Sequence, residues 1–202
     1  MGIDKHDTIQ NMRAKDMLKF KFDEQKAISI LLYIAGKLIG LNDKRAKPDL
    51  HKIFKILYFA DQKHLARYGR LIVGDFYIAM DHGPVPSNIY DMIKTIRGDS
   101  IYADDRGYGD SFKVRDHFVY PKHEPDLDVL SESDIECVNE SLQENQYLSF
   151  AELRGKSHDP AYCRATKDDK ISFRAMAKIG GADDEMLSYI QTTAENERLL
   201  SI

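Results

Sequence analysis

The sequence predicts an α+β domain that is predominantly helical, with a helical core around a buried central helix and a small antiparallel sheet from two hairpins. Three observations predict it. Apolar residues recur at helical spacing over 28–39 and again over 50–68. The second run is apolar over most of its circumference, which marks a helix enclosed by its neighbours. Two short alternating runs, 71–80 and 112–120, each carry a turn signal.

Residues 1–17 are polar and read as a mobile N-terminal segment. Leu18, Phe20 and Phe22 alternate with Lys19 and Lys21, as in a short strand or an anchoring arm. Asp23 is placed to cap a first helix, with Glu24 in its first turn and Gly40 at its end. Pro48 and Asp49 open the second helix, and Gly69 stops it. Leu71–Val73 and Phe76–Met80 then read as a hairpin turning at Gly74-Asp75, with Pro84 and Pro86 ending its second strand. Pro86 or Ser87 opens the third helix, which Gly98 closes. Residues 98–111 form a Gly/Asp-rich loop, and a second hairpin turns at Arg115-Asp116. After a connector over 121–128, Ser131 and Asp134 suggest a capping box for the next helix. Short helices follow over 148–154 and from Asp159-Pro160, and two more over 171–179 and 183–200 are split by Gly180-Gly181.

The composition excludes several classes. The chain has 202 residues, 43% hydrophobic and 31% charged, enough for one real core. No apolar run approaches a membrane span, so no membrane partner is expected. The charged N-terminus does not read as a secretory signal, and His6 stands where a myristoylation pattern needs Ser or Thr. Cys137 and Cys163 have neither metal-site nor disulfide spacing. A reducing cytoplasm is the expected location, and no cofactor is implied. Residues 1–100 carry 17 Lys/Arg against 12 Asp/Glu, and residues 101–202 carry 12 against 21. That asymmetry is either two solvated surfaces or a dipolar surface that steers a charged partner. No basic tract is interleaved with aromatics, so nucleic acid is not the expected partner.

Polar residues inside the apolar pattern are the candidate site. At about 100° per residue from Leu50, Asp61 falls near 20°, inside the apolar stripe, and His64 near 320°, at its border. A buried carboxylate requires partners. Candidates are His64, the backbone N–H groups of Asp81–Gly83, and Tyr77 or His82. Asp61 therefore reads as a staple between the central helix and the corner Asp81-His82-Gly83-Pro84-Val85-Pro86. The sharper alternative is a metal or general-base site of Asp61, His64 and His82, although their spacing matches no known ligand motif. His158 reads as a turn-capping residue or as one that closes on Asp61 and His82. There is no nucleophile elbow, phosphate loop or dinucleotide fingerprint.

KFDEQKAISILLYIA, KILYFADQKHLARYGRLIVGDFYIAMDHGPVPSNIYDMI and ELRGKSHDPAY, taken in order, closely resemble the Panacea, or SocA-like, antitoxin domain. The resemblance runs from about Phe20 to Ala165, within an antitoxin domain drawn at 18–165, and leaves 166–202 as a C-terminal helical extension. Asp61, Gly74, Asp75, His82, Gly83, Pro84 and Pro86 match the family's characteristic positions, and no catalytic residue carries over. The resemblance implies a non-enzymatic antitoxin that binds and neutralises a cognate protein toxin encoded beside it. One member is similar in role but acts as an adapter delivering its toxin to a protease, and relatives occur in phages and prophages. Other function classes remain open: an enzyme built on Asp61, His64 and His82, and a DNA-binding regulator of its own operon. Homo-oligomerisation is compatible with all of them. Two prolines and Gly83 make the corner stiff, so toxin contacts are expected from exposed positions around it.

Overall fold

A computed structural model describes residues 20–99 and 107–200. The predicted mobile segment 1–17, Leu18 and Lys19 of the arm, and residues 100–106 of the loop over 98–111 lie outside the described residues. Phe20 and Phe22 are not in a strand. They act as an anchoring arm: Phe20 packs edge-on against Phe173 and Phe22 lies on the core.

The fold is α+β and predominantly helical. Helix α1 (Glu24–Gly40) starts at Asp23, whose side chain accepts the N–H of Lys26, and buries Ala27, Ile30, Leu31 and Ile34 completely. Helix α2 (Leu50–Tyr68) is capped by Asp49 and ends at Gly69 in the left-handed conformation. It buries Ile53, Ile56, Leu57, Tyr58, Ala60 and Leu65 on several sides, as its greasy circumference predicts. The helix separates two apolar clusters. One lies among α1, the first half of α2 and the second hairpin, and the other under the C-terminal helices. Full burial of each large aliphatic side chain contributes about 1.5–3 kcal/mol.

The first hairpin pairs β1 (Tyr77–Met80) with β2 (Gly83–Pro86), in register Tyr77 with Pro86 and Ala79 with Pro84. The turn is therefore at Asp81-His82, not at Gly74-Asp75, and the prolines sit inside a strand rather than ending one. The backbone explains why. Tyr77 and Ala79 turn their polar groups away from β2, to bond Ile171 N–H, the Asp169 carbonyl and Asp168 N–H. Pro84 and Pro86 stand opposite these two residues, so their missing N–H groups cost no ladder bond. Gly74-Asp75 instead lies in the connection from α2, whose Val73 carbonyl accepts Asp23 N–H.

Helix α3 (Ser87–Arg97) and the one-turn α4 (Tyr108–Ser111) precede the second hairpin. That hairpin joins β3 (Phe112–Arg115) to β4 (Phe118–Pro121) through Asp116 and His117. Both turn residues have positive φ, the geometry of a tight hairpin turn one residue beyond the expected position. The two hairpins form separate two-stranded sheets. A 3-10 turn (Leu127–Val129) leads to α5 (Glu132–Asn145), which carries the predicted Ser131/Asp134 capping box. Helices α6 (Phe150–Ser157), α7 (Pro160–Arg164), α8 (Phe173–Ile179) and α9 (Asp184–Leu200) complete the chain. α2 touches α1, α5, α6, α8, α9 and β2.

Part of the uneven charge of the two chain halves is matched between α2 and α5. Lys63 and Arg67 on α2 pair with Glu140, Glu144 and Glu136 on α5, and Arg67 meets Glu140 through two bonds at 2.6 and 2.7 Å. Lys52, 3% exposed, donates to the backbone carbonyls of Arg45, Gln146 and Leu148, so a single ammonium ties the loop before α2 to the end of α5. No helix among the described residues is long and apolar enough to cross a membrane.

Candidate functional site

Asp61 is completely buried. Its carboxylate accepts Ile72 N–H at 2.7 Å and the Tyr77 hydroxyl at 2.6 Å. The staple therefore joins α2 to the connection after it and to β1. It does not reach the Asp81–Gly83 corner, because the turn lies beyond β1 rather than before it. Burial pushes the Asp61 pKa up to about 6, against the pull of its two donors.

The corner is held by a residue that the sequence reading passed over. Lys55, 1% exposed, donates to the Pro84 carbonyl at 2.7 Å. Gly83 is required just there. Its φ is +98°, and a Cβ would lie 2.5 Å from Ser157 Oγ and 2.9 Å from Lys55 Cε. Glycine therefore lets β2, α2 and the end of α6 meet. Gly74, also at positive φ, lies against the backbone carbonyl of Lys21.

Asp75 is fully buried and serves α3 from a distance. Helix α3 has only Pro86 at its cap position, with no side chain to offer. Asp75 Oδ1 accepts Phe76 N–H, Asn88 N–H and Asn88 Nδ2, and Oδ2 accepts Ile89 N–H. Burial raises its pKa, while these donors and the helix N-terminus favour the charged form.

His64, Asp61 and His82 do not form one site. His64 faces the other way, with Nδ1 2.9 Å from the Arg70 carbonyl and Nε2 3.2 Å from Asp134 Oδ1. Lys26 and Arg70 also reach Asp134, at 2.6 and 3.1 Å. Burial works against the Asp134 charge, yet hydrogen bonds from His64, Lys26 and Ser131 hold its carboxyl well below the usual range. Among the described residues no three His, Cys, Asp or Glu side chains converge as a metal ligand set.

His82 is exposed at the hairpin turn and packs edge-on to Phe150, which also meets the ring of His51, with centroids 4.1 Å apart. His51 Nε2 lies 3.3 Å from the His82 carbonyl. Burial, and then the charge of Lys55, lowers His51 to about 4. His158 ends α6 and stacks on Tyr162 at 4.2 Å. It follows Ser157, which lies against Gly83, so the backbone places it beside the corner. Burial, and then the charge of Arg154, lowers its pKa. The next residue, Asp159, caps α7 and also accepts the Tyr58 hydroxyl and Gln62 Nε2. Of the predicted residues, His82, Gly83, Pro84 and His158 thus share the corner with Lys55 and His51. Lys52 and Lys55 were visible as charges on a helix otherwise too greasy for them, a signal equal in kind to Asp61.

Lys55 supplies a pH prediction. Burial lowers its pKa from 10.5 to about 7. A depressed folded-state pKa contributes stability that is present above the unfolded value and lost as pH falls through the folded one. Wild type should therefore gain on Lys55→Met by up to a few kcal/mol between pH 7 and pH 10.5. Urea midpoints of both proteins across that window check it, and a constant difference would refute it.

The profile of the family described as "Antitoxin SocA-like, Panacea domain" matches residues 53–163, more than half of the chain. The match takes in most of α2, both hairpins, α5, α6 and nearly all of α7, and so contains the corner. No curated protein and no solved structure matches the chain.

Proposed function

Because the chain belongs to the SocA-like antitoxin family with a Panacea domain, we propose that it is the antitoxin of a toxin–antitoxin pair and silences one cognate protein toxin by direct binding. The observation that carries this reading is the family match across the scaffold built around α2 and the corner. The physical support is preorganisation. The first hairpin and α3 are fixed by Asp61, Asp75 and Lys55 before any partner arrives, which reduces the ordering cost of binding. Neutralisation in the cytoplasm, by occluding the toxin or by delivering it to a protease, follows from the same reading.

The alternatives draw less support. An enzyme built on Asp61, His64 and His82 would need them to converge, and His64 is committed to Asp134 instead. A DNA-binding role leaned on the basic first half, whose Lys63 and Arg67 are neutralised by α5. The test is co-expression. The product of the gene beside this one should arrest growth when expressed alone, and growth should return when this chain is supplied. A neighbour that is harmless alone, or toxic regardless, would refute the proposal.

A further inference from the structure

We infer that the α6 residues bordering the corner, Phe150 and Arg154, form the toxin-docking surface, and that it takes an acidic side chain flanked by an apolar one on the surface of the partner protein. This inference rests on the antitoxin reading. The apolar half of the surface is Phe150, 50% exposed although it is a large aromatic. It is held rigid by His51 on one face and His82 at its edge. Aromatic side chains, Phe among them, are enriched at interface cores, and a ring already fixed loses little freedom on binding.

The polar half is Arg154, exposed and one turn along α6. Its Nε donates to the Asp81 carbonyl, and no carboxylate lies within ion-pair distance of it among the described residues. Two acidic residues close to it along the chain or across its hydrogen bond have partners of their own: Asp81 pairs with Lys167 at 2.8 Å, and Glu152 turns back onto Ser149. At the corner the Lys55 amine is bonded to the Pro84 carbonyl rather than to a carboxylate. Among the described residues Arg154 therefore lacks an acidic partner, and a carboxylate of the bound protein supplies one, met by its planar two-pronged donor.

The same chemistry argues for a protein rather than a nucleic acid. A phosphate backbone is met by several cations in a row. Here the Arg154 guanidinium stands near His51, which burial lowers to about 4, rather than in a row of cations.

The test uses the purified product of the neighbouring gene, in an inactivated form, as the probe. Its dissociation constant is measured against wild type, Phe150→Ser, Arg154→Glu and the double variant. Tyr120→Ser, which alters an exposed aromatic of the second hairpin, serves as a control. Each single substitution should weaken binding about 10-fold or more, the range of an interface anchor. Melting temperature and the control should stay as in wild type. If Phe150→Ser does not fold, the exposed Arg154→Glu carries the test. Wild-type affinity in both variants would overturn this surface and leave the antitoxin reading standing. No binding by wild type would overturn both. Loss of duplex-DNA binding in Arg154→Glu, with the protein partner still bound normally, would overturn the choice of occupant.

Discussion

Asp75→Ala should destabilise the protein by about 3–5 kcal/mol, combining the loss of a helix cap with buried donors left unpaired. Asp75 accepts four donors, and one of them, Ile89 N–H, belongs to a fully buried residue at the start of α3. Pro86 has no side chain that could take over as cap. Helix α3 also has few other holds: Ile89, Met92 and Ile93 are its buried side chains. Loss should therefore begin with fraying of α3 and the β2 strand that leads into it. Asp75→Asn keeps one acceptor oxygen but turns an NH2 toward a donor, so it should fall between wild type and alanine. Urea denaturation measures the total, and hydrogen exchange of the α3 amides locates it. A loss below about 1 kcal/mol would mean that water replaces the carboxylate, as at an exposed cap.

Asp61→Ala should cost about 2–5 kcal/mol, because the Tyr77 hydroxyl and Ile72 N–H both lose their acceptor in a dry interior. Tyr77 is itself completely buried, so its hydroxyl has no route to water. Tyr77→Phe should cost less, and the double variant less than the sum, since the two side chains share one bond. The carboxylate also has a pH signature. Its pKa is raised from 3.8 to about 6, chiefly by burial. A raised folded-state pKa contributes stability that is full below the unfolded value and lost as pH rises through the folded one. Wild type should thus lose ground to Asp61→Asn between about pH 4 and pH 6. Melting temperature and toxin neutralisation should fall together in Asp61→Ala. An Asp61→Ala protein that melts like wild type but no longer neutralises would place Asp61 in the interface instead of the scaffold.

The helices were legible because their signals are local. Asp23, Asp49, Ser131 and Asp159 cap the helices they precede, and Gly69 and Gly98 end theirs in the left-handed conformation. The first hairpin was misplaced because Gly74-Asp75 carries a strong turn signal for a different purpose. Glycine there allows the chain to pass the Lys21 carbonyl, and the aspartate serves a helix twelve residues on. The prolines misled for a related reason: a proline is barred from a ladder only where its N–H is needed, and register is not a local property. The site was half legible. Asp61 was detectable as a charge on a greasy stripe, but its partners depend on how the chain turns after α2. Lys55 gave the same kind of signal and was overlooked beside it. The pairing of His64 with Asp134 spans seventy residues and leaves no local trace.

The backbone around β1 bears on self-association. Tyr77 and Ala79 spend their outward-facing amide and carbonyl groups on residues 168–171. A two-stranded ribbon normally offers its rim as a template on which another chain can zip. On the β1 side that template is already occupied by the protein's own later segment, so two copies cannot join by strand addition there without first peeling it away.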